Sequence, residues 1–368
     1  MKSGKKPKHI YFFVGTTAEF IKILPVLKEL KSRKISFKLI TSGQGKILYR
    51  DFVGFMDQIK ADIELSYKGD RSSVMNFIHW SIVTLLQGIT KLKSEFSGKE
   101  KQTTFLIVHG DTVSSLIGSL IAKIYGLTLV HIESGLRSFN FLEPFPEELT
   151  RFLISRLADI HFCPNKWSLD NLRQVHSTKV NTFQNSLIDI FKDTTKYNSK
   201  TYIRIPCKHY FVLVIHRQEH VLFNKNISKD VLQLILKNKG KIGCVLIKHD
   251  LTSQLLQSIN ITDSDLKKYH VVTVPRLPYY KFMNLVFNAE FFITDGGSNQ
   301  EEAYYMGKPC LILRKHTERV EGLKKNAVLS RMEENTILNF LNNPGKFKRK
   351  PVKNNLSPSK IIVDYLYE

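Results

Sequence analysis

Short apolar runs of strand length alternate with amphipathic helical stretches along this 368-residue chain, and they do so in two successive series. In the first, "HIYFFVGT" leads into "EFIKILPVLKELKS", and "FKLITSG" into a helical "GKILYRDFVGFM". A long apolar helix follows, then "TTFLIVHGD", "TVSSLIGSLIAKIYG", "LTLVHIES", "EELTRFLISRLA", "DIHFCPN" and "SLDNLRQV". The pattern weakens across "VNTFQNSLIDIFKDTTKYNSKTYIRIP" and restarts at "YFVLVIH". It then runs through "NISKDVLQLILK", "KIGCVLIKH", "LTSQLLQSI", "HVVTVP", "YYKFMNLVFNA", "EFFITD", "SNQEEAYYMG" and "PCLILR". Strand–helix alternation needs parallel sheets covered on both faces. The predicted class is therefore α/β, with two doubly wound domains. The predicted limits are 1–187 and 188–350, with a tail over 351–368 packing back on the N-terminal domain.

In open sheets of this kind ligands bind beyond the carboxyl ends of the strands, which makes a cleft between the two domains the expected site. Polar residues directly after strands are Gly15, Thr16 and Thr17; Gly110, Asp111 and Thr112; Glu133, Ser134 and Gly135; His216 and Arg217; His249; and Asp295, Gly296 and Gly297. Each has an ordinary alternative. Asp111 can cap the next helix, Glu133 can pair with Arg137, and His216 can be a satisfied histidine at the edge of the core. At 294–308, "TDGGSNQEEAYYMGK", an apolar run ends and a helix starts, with Ser298 or Asn299 as cap and Glu301 and Glu302 in the first turn. A Gly-rich turn into a helix N-terminus offers N–H groups to an anion. Acidic groups behind it suit sugar hydroxyls better than phosphate.

The formal charge of +22 and pI near 9.7 raise the question of a polyanionic partner. Lysines are spread along the chain, and no nucleic-acid module accompanies them, so no nucleic-acid partner is expected. Attraction to nucleotide-linked substrates or peripheral contact with an anionic membrane stays open. Cys163, Cys207, Cys244 and Cys310 are scattered singly, which predicts neither disulfides nor a metal site and suits a reducing, cytoplasmic setting. The apolar N-terminal run "IYFFVG" is too short for a signal-peptide core. The stretch Val74–Ile89 is too short and too often interrupted by polar residues to span a bilayer, and is predicted to be a buried helix.

With these residues in view, the chain resembles the UDP-N-acetylglucosamine 2-epimerase family, whose fold has two Rossmann-like domains facing a cleft (GT-B architecture). The resemblance rests on "VGTTAEFIKILPVLKEL", "VHGDTVSS", "VHIESGLRSFNFLEPFPEELTRFLISRLADIHFCP", "NSLID", "VIHRQEH" and "TDGGSNQEEAYYMGKPCLILRKHTERVEG". It implies acid/base carboxylates at Asp111, Glu133 and Glu147, cleft cations at Lys22 and Arg151, and a site histidine at His216. It implies a pyrophosphate turn at Gly296, Gly297 and Ser298, a ribose-binding Glu302, and Arg319 among the nucleotide-binding residues. The implied partner is a nucleotide-sugar, UDP-GlcNAc or a relative, with no cofactor and a possible homodimer. The implied chemistry inverts carbon 2 by elimination and re-addition of UDP, which needs a base on one face, an acid on the other and cations for the departing diphosphate.

The chain departs from the family pattern at several points. Thr17 and Ala18 stand where the family has Arg-Pro, and threonine cannot replace a bidentate guanidinium. The turn reads Asp295-Gly296-Gly297-Ser298 rather than Asp-Ser-Gly-Gly, Gln218 replaces a second arginine, Val320 a proline, and Gly45 a histidine. The carboxylates are retained. The sequence therefore points to a 2-epimerase for surface polysaccharide, of hydrolysing or non-hydrolysing type. The alternatives are a glycosyltransferase of the same fold acting on a lipid-linked or cell-envelope acceptor, or a non-catalytic binder.

Overall fold

A computed structural model describes residues 8–52, 59–65, 67, 69, 73–141, 143–196, 205–217, 220, 225–353 and 355–367. The chain divides into two compact units, Met1–Ile190 with Leu356–Glu368, and Phe191–Asn355.

The first unit is built on strands β1 (His9–Val14), β2 (Lys38–Thr41), β3 (Ile63–Glu64), β4 (Thr104–His109), β5 (Thr128–Ile132), β6 (Ile160–Cys163) and β7 (Thr178–Asn181). All pair in parallel in the order β3-β2-β1-β4-β5-β6-β7. Successive residues of a strand point to opposite faces, yet Phe12 and Phe13 are both fully buried, so both faces are covered. Burial of each such ring stabilises the unit by about 1.5–3 kcal/mol. The helices are α1 (Thr17–Ser32), α2 (Val74–Lys91), α3 (Lys93–Phe96), α4 (Val113–Tyr125), α5 (Glu147–Leu157) and α6 (Lys166–Asp170); α7 (Leu187–Lys196) runs across the boundary between the units.

The second unit repeats the plan with β8 (Tyr210–Val214), β9 (Gly243–Lys248), β10 (Val271–Pro275), β11 (Phe292–Thr294), β12 (Cys310–Ile312) and β13 (Ala327–Leu329), parallel in the order β10-β9-β8-β11-β12-β13. Its helices are α8 (Lys225–Asn238), α9 (Asp250–Ser258), α10 (Asp263–Lys268), α11 (Tyr279–Asn288), α12 (Gly297–Met306) and α13 (Glu334–Asn342). Helix α14 (Pro358–Tyr367) belongs to the first unit and packs on α1, where Asp364 pairs with Arg33. In both sheets the strand order reverses beside the first strand, at β1/β4 and at β8/β11. Those switch points are where doubly wound sheets bind ligands.

Two expectations are corrected. Helix α2 is not buried all round: Trp80, Thr84 and Gly88 face the core, whereas Val74, Met75, Ile78, Ile82 and Leu86 are 48–75% exposed. An apolar residue every three or four positions marks a face, but it does not say whether the same chain covers it. The helix expected over "GKILYRDFVGFM" is reduced to a single 3-10 turn at Tyr49–Phe52, and residues 53–56 of that stretch lie outside the described residues.

Candidate active site

In the first unit the ends of β1, β4 and β5 are neighbours, so the polar residues that follow them share one rim. Thr16 caps α1 in a capping box with Glu19. The Glu19 carboxylate, fully enclosed, also accepts from Gly15 N at 2.8 Å, Thr16 N at 2.7 Å, Thr112 Oγ1 at 2.5 Å and Ser115 Oγ at 2.8 Å. It ties the turn after β1 to the turn after β4. Burial pushes its carboxyl up, against the pull of these bonds.

One helical turn beyond Glu19, Lys22 extends to Glu133. Its Nζ donates to Oε1 at 2.9 Å and Oε2 at 2.8 Å, and the two side chains are only 8% and 3% exposed. Glu133 directly follows β5 in the left-handed conformation (φ 63°), sparsely populated by side-chain-bearing residues, which turns it out of the strand. Asn185 Nδ2 also donates to Glu133 Oε2. Asn185 lies in "NSLID", a stretch the sequence singles out without giving this residue a role. Arg137, the alternative partner considered for Glu133, pairs instead with Glu148.

Asp111 does not cap the next helix; Thr112 does. Its carboxylate receives Arg151 Nη2, while Arg151 Nη1 donates to Glu148 Oε2 at 2.7 Å. Glu148, fully buried, also accepts from Ser138 N at 2.9 Å and Phe139 N at 3.2 Å. Sequence reasoning passed over this residue beside Glu147, yet it is the one that fixes Arg151. Glu147 opens α5 and is half-buried. The hydroxyl of Thr150 donates to the backbone carbonyls of Asp111 and of Glu147, joining the first turn of α5 to the Asp111 loop. The first unit thus brings Lys22 to Glu133, and Arg151 to Asp111 next to the start of Glu147's helix.

In the second unit, Asp295 follows β11, fully buried, and accepts the N–H groups of His216 at 2.7 Å and Arg217 at 2.8 Å on Oδ2. His216 Nδ1 lies 2.9 Å from Asp295 Oδ1 in a bent contact, and His220 Nε2 lies 3.5 Å from Oδ2. Burial pushes the Asp295 carboxyl up, but His216, His220 and the Arg217 N–H outweigh it and hold it well below the usual carboxylate range. His249, its ring 5.2 Å from that of His216, is lowered to about 4 by burial first and then by the charges of His216 and Arg276. Gln218 lies outside the described residues.

The cap of α12 is Gly296, not Ser298 or Asn299, and it has no side chain to occupy the first N–H groups. A Cβ on Gly296 would stand 2.9 Å from His216 Cε1 and 2.5 Å from Asn299 Oδ1, and one on Gly297 would stand 2.6 Å from Arg319 Nε. Only glycines let those side chains close over the turn. The helix starts at Gly297, so Glu301 and Glu302 fall beyond its first turn, contrary to expectation. Both are buried: Glu301 pairs with Arg319, and Glu302 accepts from Asn299 Nδ2 at 2.8 Å. Among the described residues there is no cluster of three or more metal-ligating side chains, and no helix is long and apolar enough to cross a membrane.

Residues 28–356 match the sequence profile of the UDP-N-acetylglucosamine 2-epimerase family, a span containing every residue named above from Asp111 to Arg319. The UDP-N-acetylglucosamine 2-epimerase of Campylobacter jejuni is 29% identical over 340 residues, covering 87% of this chain and 85% of that protein. That of Neisseria meningitidis serogroup A is 30% identical over 328 residues, covering 85% and 84%. The crystal structure of the N. meningitidis enzyme bound to UDP-GlcNAc superposes with a TM-score of 0.82 at 26% identity, covering 97% of this chain and 99% of that one. The two parallel sheets are therefore the two Rossmann-like domains of that fold, and the chain belongs to the UDP-N-acetylglucosamine 2-epimerase family.

Proposed function

We propose that this chain is a UDP-GlcNAc 2-epimerase that works by elimination and re-addition of UDP. The observation that carries the reading is Glu133, a buried carboxylate on a left-handed residue at a strand end, gripped on both oxygens by Lys22 and supported by Asn185. Packing alone gives no reason for that arrangement: a buried ion pair stabilises little over an apolar pair of the same size.

In the reaction a carboxylate takes the hydrogen from carbon 2 while the bond from carbon 1 to the UDP oxygen breaks, leaving a glycal. A carboxyl then returns a proton to the opposite face of carbon 2, and the UDP oxygen re-forms its bond to carbon 1. Asp111, Glu133 and Glu147 supply the two proton carriers, and Lys22 and Arg151 hold Glu133 and Asp111 in place. In the second unit His216 and the N–H groups at Gly296, Gly297 and Ser298 serve the diphosphate. Glu302 serves the ribose. Arg319, buried against Glu301, supports the turn from behind.

A cytoplasmic setting suits four free cysteines and a nucleotide-linked substrate. For the exposed stripe of α2 we propose a second copy of the chain as occupant, because Val74, Met75, Ile78, Ile82 and Leu86 expose an apolar face and the helix has no Lys, Arg, Asp or Glu before Lys91 at its last position. An anionic membrane would favour lysines along the length of such a stripe.

Proton NMR of the protein with UDP-GlcNAc in deuterated water tests the reading. The expected product is the manno epimer carrying deuterium at carbon 2, and Glu133→Gln or Glu147→Gln slows its formation about 10²–10⁴-fold. Free N-acetylmannosamine plus UDP identifies the hydrolysing type. UDP binding with neither exchange nor product refutes the proposal.

A further inference from the structure

We propose that Asp295 is the positioning residue for His216: its carboxylate takes the Nδ1 edge of the imidazole and leaves Nε2 as the nitrogen that meets the diphosphate. This rests on His216 belonging to the substrate site.

Several observations converge on it. Asp295 has no exposed surface, and its two oxygens divide their work. Oδ2 takes the backbone N–H groups of His216 and Arg217 at 2.7 and 2.8 Å, which fixes where the histidine leaves β8. Oδ1 lies 2.9 Å from the ring nitrogen Nδ1, at ion-pair distance though too bent for a formed hydrogen bond, and a small turn of the ring brings the two into line.

The ring's other edge is set by Gly296. In an imidazole Cε1 stands between the two nitrogens. With Nδ1 at the carboxylate and Cε1 so close to Gly296 that a Cβ there would be 2.9 Å away, the carboxylate side of the ring is taken by Nδ1 and Nε2 is left as the nitrogen turned away from Asp295. His249 backs the ring, with centroids 5.2 Å apart. His220 does not compete for the Oδ1 edge: its Nε2 approaches Oδ2 at 3.5 Å and its Nδ1 is bonded to Ser228 Oγ at 2.8 Å.

A neutral imidazole carries one proton, and an acceptor on Nδ1 places it there, so Nε2 keeps the lone pair. Nε2 can then take a proton from solvent, giving an imidazolium that donates from Nε2 to a phosphate oxygen while Asp295 faces Nδ1. No covalent bond to the protein is made or broken. The same carboxylate that holds the loop therefore selects the reactive nitrogen, a division of labour familiar from carboxylate–histidine pairs in hydrolases.

The test reads the tautomer directly. In protein labelled with ¹⁵N-histidine, the two-bond ¹H–¹⁵N spectrum assigns His216 by the signals lost in His216→Gln. The expected result for neutral His216 is a protonated Nδ1 and a bare Nε2. A proton on Nε2 with a bare Nδ1 overturns the proposal. This readout needs no turnover, so it stands apart from the epimerase reading.

Kinetics supply the second arm. Asp295→Asn lowers kcat about 10²–10⁴-fold in the wild-type background, but at most about threefold further in the His216→Gln background, because its effect passes through that ring. An equal loss in both backgrounds means Asp295 only holds the loop and overturns the proposal. If Asp295→Asn does not fold, the spectrum of the wild-type protein decides.

Discussion

Replacing Lys22 by methionine keeps most of the side-chain volume and removes the ammonium. What it leaves behind is Glu133, 3% exposed, deprived of the 2.8 and 2.9 Å bonds to its two oxygens and retaining Asn185 as a donor. Breaking one side of a buried ion pair costs about 3–5 kcal/mol, because the surviving charge stays desolvated and unpaired. Asn185 puts the expectation at the lower end, about 3 kcal/mol. For a unit of this size about 1 kcal/mol moves the melting temperature by ~2–4 °C, so Lys22→Met lowers it by roughly 6–12 °C. The double variant Lys22→Met/Glu133→Gln removes the orphaned charge and recovers most of that loss. Circular-dichroism melts of wild type, both single variants and the double variant measure the coupling. A Lys22→Met melt within a degree or two of wild type, or a double variant no more stable than Lys22→Met, refutes the view that these charges are buried for one another.

Three further outcomes are expected. Burial lowers His131 to about 4 and His161 to about 3; with ordinary values near 6.5 when unfolded, their contribution is complete above about pH 6.5 and is lost as the pH falls toward 4. From pH 7 to pH 5 the two together cost about 4 kcal/mol, read as a fall in the urea midpoint, and a midpoint unchanged over that range contradicts it. Glu302→Ala weakens UDP binding by about 1.5–3 kcal/mol in calorimetry; an unchanged affinity assigns Glu302 to contacts within its own unit, its bond with Asn299 among them. Ile82→Asp on the exposed face of α2 converts a dimer to a monomer in sedimentation velocity, and a wild-type protein already monomeric at micromolar concentration removes the proposed second copy.

The fold was legible because its signal is local. Runs such as "FLIV" in β4 and "FVLV" in β8 are apolar at every position, which is what a strand covered on both faces requires, and each is followed along the chain by a helical pattern. The candidate residues were legible as positions for the same reason, since the end of a strand can be read from sequence. Their partners were not. Lys22 and Asn185 are 111 and 52 residues away from Glu133, and Glu148 differs from its neighbour Glu147 only in which way the first turn of α5 faces. The start of α12 was misread for a related reason: Ser298 and Asn299 have cap chemistry, but the tight approach of His216 and Arg319 to the glycines decides where the helix begins.

The departures from the family pattern gain meaning once they have neighbours. In sequence, Thr17 and Gly45 are two unrelated losses, of a guanidinium and of an imidazole. In the structure they belong to one contact. Thr17 Oγ1 donates to the carbonyl of Lys46 at 3.1 Å, and the Gly45 N–H donates to the carbonyl of Gly15 at 2.7 Å, so the turn after β1 and the loop after β2 are laced together. Gln44 completes the lacing: its Oε1 accepts from Ser114 N at 2.9 Å and Ser114 Oγ at 2.7 Å in the first turn of α4. Crowding does not dictate glycine at 45, where an added Cβ would find its nearest neighbour, the Gly15 carbonyl, at an ordinary 3.6 Å. The two losses are therefore compatible with each other and with an intact scaffold around Lys22 and Asp111. This chain can dispense with both side chains without disturbing Lys22 or Asp111, because Glu19, not either missing group, ties the turn after β1 to the turn after β4.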